Sequence, residues 1–261
     1  MREAVQRWRL VLHRSALDSD AVQRAMLARW EAALLASGLP VAGLDAPRPR
    51  PRFAIAAPLA AAIPGEAELL DLWLVERLPR WRVRDAVLAI VPPDHRLVDL
   101  YDVWLGEAPL PGRVSASVYR ARIEGGEASA EELRAAAAAL LDAPSLVRER
   151  RKGDGVVAYD LRPFLLALEV ADGPGGEIVV RMTLRHDPEK GIGRPDETLA
   201  ALGDQLARGP VHVVSLVREG IVLAEPPANE PQPRGPRGRP AERAVRPDHP
   251  ERADRNDQPR R

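Results

Sequence analysis

The stretch Glu66-Ala67-Glu68-Leu69-Leu70-Asp71-Leu72-Trp73-Leu74-Val75 decides the fold. Successive side chains of an extended chain point to opposite faces. Ala67, Leu69, Asp71, Trp73 and Val75 therefore share one side, and Glu68, Leu70, Leu72 and Leu74 the other. Both sides are mostly apolar, which places this strand centrally in a sheet. Upstream, Arg7-Trp8-Arg9-Leu10-Val11-Leu12-His13 alternates polar and apolar residues and is rich in strand formers. Between the two lie a helix over Asp20–Ser37 and a second strand over Arg52–Ala57. The helix carries a Val22, Met26, Ala33, Leu34 stripe, Asp18 or Ser19 as its cap, and Gly38-Leu39-Pro40 as its stop. Downstream, a short helix over Trp81–Val91 ends at Pro92-Pro93, and Arg96–Leu105 makes a fourth strand. The order β-α-β-β-α-β predicts a ferredoxin-like unit, a four-stranded antiparallel sheet with two helices on one face.

Gly106–Gly112, with Pro109 and Pro111, reads as a linker, after which the pattern repeats. Val114–Ile123 is a strand, and Ser129 with Glu132 forms a capping box for a helix through Leu141. Ser145–Arg151 and Val156–Tyr159 suit a hairpin. Asp160 suits the cap of a short helical turn through Leu168. Glu177–Arg185 is a strand and Arg194–Ala207 a helix. Val211–Val217 closes the set, continuing into Ile221-Val222-Leu223 after a turn at Glu219-Gly220. The expected architecture is α+β: two tandem ferredoxin-like units with antiparallel sheets, over 1–109 and 113–224. Residues 225–261 hold nine arginines, seven acids and many prolines with almost no large apolar side chain, so a disordered tail is expected there.

At 261 residues the chain can bury the cores of two small domains. Its formal net charge is zero, so a nucleic-acid footprint must be a local patch. Only Lys152 and Lys190 are lysines, and the remaining positive charge is guanidinium. Without cysteine the chain cannot form disulfides or hold an iron-sulfur cluster on its own thiolates, so it is not a radical enzyme by itself. Met1-Arg2-Glu3-Ala4 lacks an apolar signal core and no run approaches the ~20 apolar residues of a membrane helix, so a soluble cytoplasmic protein is expected.

The five histidines, His13, His95, His186, His212 and His249, show no metal-binding spacing. No serine stands in a Gly-x-Ser-x-Gly elbow. Gly173-Pro174-Gly175-Gly176 and Gly191-Ile192-Gly193 read as turns rather than phosphate loops. For Trp8, Trp73, Trp81 and Trp104, core packing outweighs base stacking, because no RNA-recognition consensus accompanies them. The unusual chemistry sits in Pro47-Arg48-Pro49-Arg50-Pro51-Arg52. If extended, it sets three guanidinium groups on one side, suited to phosphates. If polyproline II, it sends them in three directions. Prolines at 47, 49 and 51 cannot donate to a ladder, so the segment is an edge or a loop, either a binding feature or a rigid connector.

These residues carry a family resemblance. Pro47-Arg48-Pro49-Arg50, then Phe53-Ala54, Pro58-Leu59 and Gly65–Leu72 follow in the order seen in radical-SAM-linked proteins with the DUF2344 domain. The Gly38-Leu39-Pro40 helix end, Tyr159-Asp160-Leu161-Arg162-Pro163 and Arg194-Pro195-Asp196-Glu197 are similar too. The resemblance covers most of residues 7–220. It implies an accessory module encoded beside, or fused behind, a radical SAM protein, with RNA as a candidate substrate. The chain departs from the family pattern where a Ser-His-Leu-Asp run is replaced by Val22-Gln23-Arg24-Ala25, and where an aromatic-polar pair is replaced by Asp45-Ala46. The expected role is that of a non-catalytic accessory protein with no cofactor and no metal. It would bind through Arg48, Arg50, Arg52, Arg162 and Arg194, with a radical SAM protein and RNA as partners. A stand-alone RNA-binding protein is the alternative. An enzyme in its own right would need convergent polar groups in a pocket between the domains.

Overall fold

The computed structural model describes residues 2–124, 128–152, 155–187, 189–206 and 211–225, which all fall in one compact unit. The tail expected beyond residue 225 lies outside them. In the first half, strand β1 (Gln6–Arg14), helix α1 (Asp20–Ala36), the short β2 (Phe53–Ile55), β3 (Gly65–Leu74), helix α2 (Arg80–Ile90) and β4 (His95–Val103) follow in turn. β1 lies antiparallel between β3 and β4, with Leu10 opposite both Leu70 and Leu100, and β2 pairs antiparallel with β3. Trp8, Leu10 and Leu12 from β1 and Leu70, Leu72 and Leu74 from β3 form one face. They pack on Trp30 and Leu34 of α1 and on Val83 and Val87 of α2. Ser19 caps α1 as expected, its hydroxyl accepting from the Val22 amide. Gly38, at φ +67°, supplies the left-handed residue just beyond the helix.

The second half comprises β5 (Val114–Ile123), α4 (Ala130–Asp142), the hairpin β6 (Val147–Lys152) and β7 (Gly155–Asp160), β8 (Leu165–Asp172), β9 (Ile178–Asp187), the two-residue β10 (Gly191–Ile192), α5 (Pro195–Asp204) and β11 (Val213–Leu223). Both halves of the Ser129 and Glu132 capping box are present. β5 lies antiparallel between β9 and β11, and β8 pairs antiparallel with the far side of β9. Tyr119, Ala121 and Ile123 of β5 and Val180, Met182 and Leu184 of β9 pack on Leu133, Leu140, Leu199 and Leu202 from the helices.

Three expectations are corrected. The helical turn through Leu168 stops after Arg162–Phe164, a single 3-10 turn, and Leu165–Asp172 is strand β8. Its Leu165 and Leu168 are buried beside Leu184 and Met182 of β9, and sheet pairing outweighs local propensity there. The turn at Glu219-Gly220 is a bulge inside a continuous β11, whose register against β5 shifts between Arg218 and Gly220. Finally, the strands of both halves form one mostly antiparallel nine-stranded sheet, in the order β10-β9-β5-β11-β3-β1-β4 with β2 on β3 and β8 on β9. The cause is a length mismatch. β2 covers β3 only from Leu70 to Leu72, and β11 takes the free edge further on by pairing Arg218 in parallel with Gly65.

The segment expected as a linker runs across the sheet face opposite α1 and α2. Its one-turn helix α3 (Leu110–Arg113) buries Leu110 completely against Val11, Ala56, Leu69, Val114, Ile221 and Leu223. Among the described residues, no helix is long and apolar enough to cross a membrane.

Candidate nucleic-acid interface

The proline-arginine segment is a strap tied to the end of β3. After α1 the chain bridges Val41 to Leu74 and turns at Gly43, where φ is +91°. A side chain at Gly43 would be strained, and its Cβ would fall on the carbonyl oxygen of Arg50. The strap returns across this turn. The Arg50 amide donates to the Gly43 carbonyl at 3.1 Å and the Arg52 amide to the Ala42 carbonyl at 2.8 Å, while the Trp73 amide donates to the Arg52 carbonyl at 3.3 Å. Alternate residues supply the amides, as in an extended chain, and the prolines occupy the positions that need no donor. Arg48, Arg50 and Arg52 are exposed while Pro51 is buried.

Arg52 lies over the indole of Trp73, its guanidinium carbon 4.6 Å from the ring centroid, and the guanidinium carbon of Arg7 lies over the same ring at 4.7 Å. Trp73 is only 5% exposed, so the strap and Arg7 leave little of it to a ligand. The surface presented is the outer plane of Arg52. Arg48 and Arg50 form no side-chain hydrogen bond or ion pair with any described residue.

Beneath the strap lies a buried ionic network. Asp71, wholly buried, accepts from Arg7 through Nε at 2.9 Å and a terminal nitrogen at 2.5 Å, and from Arg9 at 2.8 and 3.0 Å. Arg9 also reaches Glu107 at 2.8 Å, Arg113 pairs with Glu107, and Arg7 donates to the Glu107 and Ala108 carbonyls. Burial alone would lower the Arg9 guanidinium, but Asp71 and Glu107 outweigh it and raise it above its ordinary value. Glu107 is held below the usual carboxylate range, because Arg9 and Arg113 overcome the opposing effect of burial. The network anchors the 104–113 segment to β1 and β3 and fixes Trp73 as the floor under Arg52.

The other two candidates stand elsewhere, and no contact joins them to the strap. Arg162 donates to the Leu165 carbonyl at 3.0 Å and the Leu141 carbonyl at 2.5 Å, tying the end of α4 to the 3-10 turn. Arg194 precedes α5 and pairs with Asp196 at 2.5 Å on the surface. Of the tryptophans, Trp8 and Trp73 are core, whereas Trp81 is 66% and Trp104 36% exposed. Sequence reasoning missed the Arg7, Arg9, Asp71 and Glu107 network. Its signal was an acid in the apolar run Leu69–Leu74 of β3 together with arginines at alternate positions of β1, and only the β1–β3 register makes them partners.

Among the described residues, no group of three His, Cys, Asp or Glu side chains is placed to hold a metal ion. The Ser117 hydroxyl lies 2.9 Å from Nε2 of His186, but Ser117 is fully buried. Burial, aided by Arg218, pushes the His186 imidazole down to about 4.

A family model described as "Uncharacterized protein conserved in bacteria (DUF2344)" matches residues 26–195, well over half of the chain. The chain belongs to the DUF2344 family. No curated protein matches this DUF2344 chain. Among solved structures it is similar to a chain in a Cbf5-Nop10-Gar1 complex, at 9% identity and a TM-score of 0.44, covering 81% of this chain and 47% of that one. It is also similar to a chain of the archaeal box H/ACA sRNP Nop10-Cbf5 complex, at 11% and 0.40, covering 81% and 46%. A third likeness is to DyPB from Rhodococcus jostii RHA1, at 11% and 0.22, covering 82% and 92%. The DUF2344 chain thus spans about half the length of the first two. Every one of these TM-scores is under 0.5, so these likenesses decide neither fold nor function.

Proposed function

We propose that this DUF2344 chain is a cytoplasmic, non-catalytic accessory protein to a radical SAM enzyme, and that its Arg48–Arg52 strap binds a phosphate-bearing substrate, RNA in the first instance. The observation that carries the binding half is the strap itself: exposed guanidinium groups on a backbone held by alternate amides, with Arg48 and Arg50 unpaired among the described residues and Arg52 stacked over Trp73. A planar guanidinium fixed on an indole offers a surface on which an unstacked base can lie, and free guanidinium groups beside it suit the backbone phosphates. Arg162 and Arg194 are contact points apart from the strap in this reading, with Arg194 released from Asp196 on engagement. The radical SAM setting rests on the family resemblance and on membership of DUF2344. We also read residues 1–109 and 113–224 as two ferredoxin-like units. The strand orders β2-β3-β1-β4 and β8-β9-β5-β11, each antiparallel throughout, support that reading.

Titration of a fluorescent single-stranded RNA at several salt concentrations tests the strap. Replacing Arg48, Arg50 and Arg52 together by alanine should weaken binding and flatten the log K against log salt slope by about 2, at about 0.7 for each phosphate no longer neutralised. An unchanged slope, or no RNA binding by the parent, removes this half of the proposal. A pull-down of the tagged chain from its own cells tests the other half. It should recover a cysteine-ligated iron-sulfur protein, and recovery of none would count against the accessory role. RNA binding that survives without such a partner favours the stand-alone alternative.

A further inference from the structure

The helix-covered side of the first half contains a cleft that the strap does not use. α1 contributes Asp20, Arg24, Met26 and Leu27 to one wall, and Ile55, Ala57 and Pro58 make the other, around about 720 Å³. Leu27 of α1 lines this cleft and is 56% exposed. Met26, Ile55 and Ala57 also line a second space, a chamber of about 20 Å³ whose remaining wall includes Arg14, Trp30, Glu68 and His95. These three shared residues form the partition between cleft and chamber. Met26, unbranched and adaptable, is its softest member. The chamber has room for one water-sized group.

The polar groups around the chamber are unevenly satisfied. Arg14 is 1% exposed and forms no ion pair among the described residues. Its terminal nitrogens donate to the carbonyls of Leu59, Ala60 and Ile63, and its Nε has no acceptor among the described residues. Trp30, wholly buried, leaves its indole N–H without an acceptor among them. The Glu68 carboxylate is engaged by Arg218, which chelates it through Nε at 2.8 Å and through a terminal nitrogen. Arg29 holds Asp94 at 2.6 Å, and Nδ1 of His95 lies 3.4 Å from the same carboxylate. Burial, the largest influence, lowers the His95 imidazole below its ordinary value against the opposing effect of Asp94. Around the chamber the buried charged side chains Arg14, Arg218 and Glu68 carry one excess positive charge, and two fully buried N–H groups beside it lack an acceptor among the described residues. Buried donors left unmatched are costly, and each calls for an oxygen.

We propose that the chamber takes one oxygen of a small carboxylate ligand, whose apolar body lies in the cleft along Met26, Leu27, Ile55 and Pro58. A carboxylate supplies the acceptor that Arg14 Nε and the Trp30 indole lack, and it neutralises the excess charge. An apolar body suits the cleft because four of its seven wall residues are apolar side chains larger than alanine. The ligand enters by displacing the Met26 side chain. This site is separate from the strap, and its test does not depend on RNA or on a radical SAM protein.

The test titrates the full chain with octanoate, phenylacetate and the uncharged octanol, following the indole N–H resonances by NMR, with the Trp30 signal assigned by its loss in Trp30→Phe. At least one carboxylate should shift the Trp30 resonance and bind at least tenfold more tightly than octanol. Arg24→Glu, an exposed substitution at the cleft mouth, should weaken the carboxylate several-fold and leave octanol unchanged. Binding of octanol as tight as that of octanoate, or a Trp30 resonance that neither carboxylate moves, would overturn the proposal and leave the chamber as the site of a buried water. Arg14→Gln provides a second check where it folds, as judged by an unaltered spectrum elsewhere: it should abolish the preference for carboxylate over alcohol, and a preserved preference would refute the role of Arg14.

Discussion

Arg218→Met tests the seam on which the single sheet depends. Arg218 is fully buried at the one residue pair joining β11 to β3, and its backbone amide donates to the Pro64 carbonyl at 2.9 Å. Its guanidinium binds Glu68 at two points and donates to the carbonyls of Pro58 at 2.9 Å and Ala57 at 3.1 Å. Removing the cation strands a buried carboxylate and two carbonyls, which should cost about 3–5 kcal/mol. For a unit of this size that corresponds to a fall in Tm of about 6–20 °C. Glu68→Leu alone should cost a similar amount, because it strands the cation instead. The double variant leaves only the two carbonyls without donors, at about 1–3 kcal/mol each. It should therefore be cheaper than the sum of the singles, by about 4 kcal/mol at matched ends of these ranges. Urea unfolding of the four proteins measures this coupling. Additivity within about 0.5 kcal/mol would show that the pair does not act as a unit and would refute the reasoning.

Further predictions address the strap, the network and the second half. Gly43→Ala forces a Cβ onto the Arg50 carbonyl at a positive φ, so it should cost about 1–3 kcal/mol and speed hydrogen exchange at the Arg50 and Arg52 amides; unchanged exchange would contradict the strap geometry. Asp71→Ala leaves Arg7 and Arg9 buried without their shared carboxylate and should lose about 3–5 kcal/mol in chemical unfolding, whereas an effect below about 1 kcal/mol would show that the network contributes little. His186 should titrate near 4 in the folded chain against about 6.5 when unfolded. The unfolded state then binds more protons between those values, so the stability due to this histidine is complete above pH 6.5 and is lost as the pH falls toward 4. NMR titration of the His186 ring reads this directly, and an apparent value near 6.5 would disprove it. Ser129→Ala removes the hydroxyl that accepts from the Glu132 amide, while the bond from the Ser129 amide to the Glu132 carboxylate remains, and should cost about 1 kcal/mol, measured as a shift in the unfolding midpoint.

Local chemistry was legible where residues answer to near neighbours. The capping box of α4, the stop after α1, the β6–β7 hairpin and the alternation of β1, β3 and β5 follow from spacing and from the backbone preferences of serine, glycine and proline. The extended form of the strap was one of two geometries open to its sequence, and the amides of Ala42 to Arg52 select it. Less local features escaped. Leu165–Asp172 has the composition of either element, and only its partner β9 makes it a strand. Met26 lies on the apolar stripe of α1 yet lines an open cleft with Leu27, because nothing in a helical stripe says where the opposing wall ends.

By itself, then, the sequence determined the β-α-β-β-α-β order of the first half, the apolar faces of β1 and β3 and the exposure of the arginine strap, since these depend on side-chain period and on the missing amide of proline. The tertiary structure alone decided that the two halves share a sheet, because that turns on how far β3 projects beyond β2. It also decided which charges are partners. Arg7 and Arg9 meet Asp71 through a strand register across some sixty residues, and Arg218 meets Glu68 across 150. Sequence spacing carries no information at that range, and the pairing is enforced by the cost of burying either charge alone.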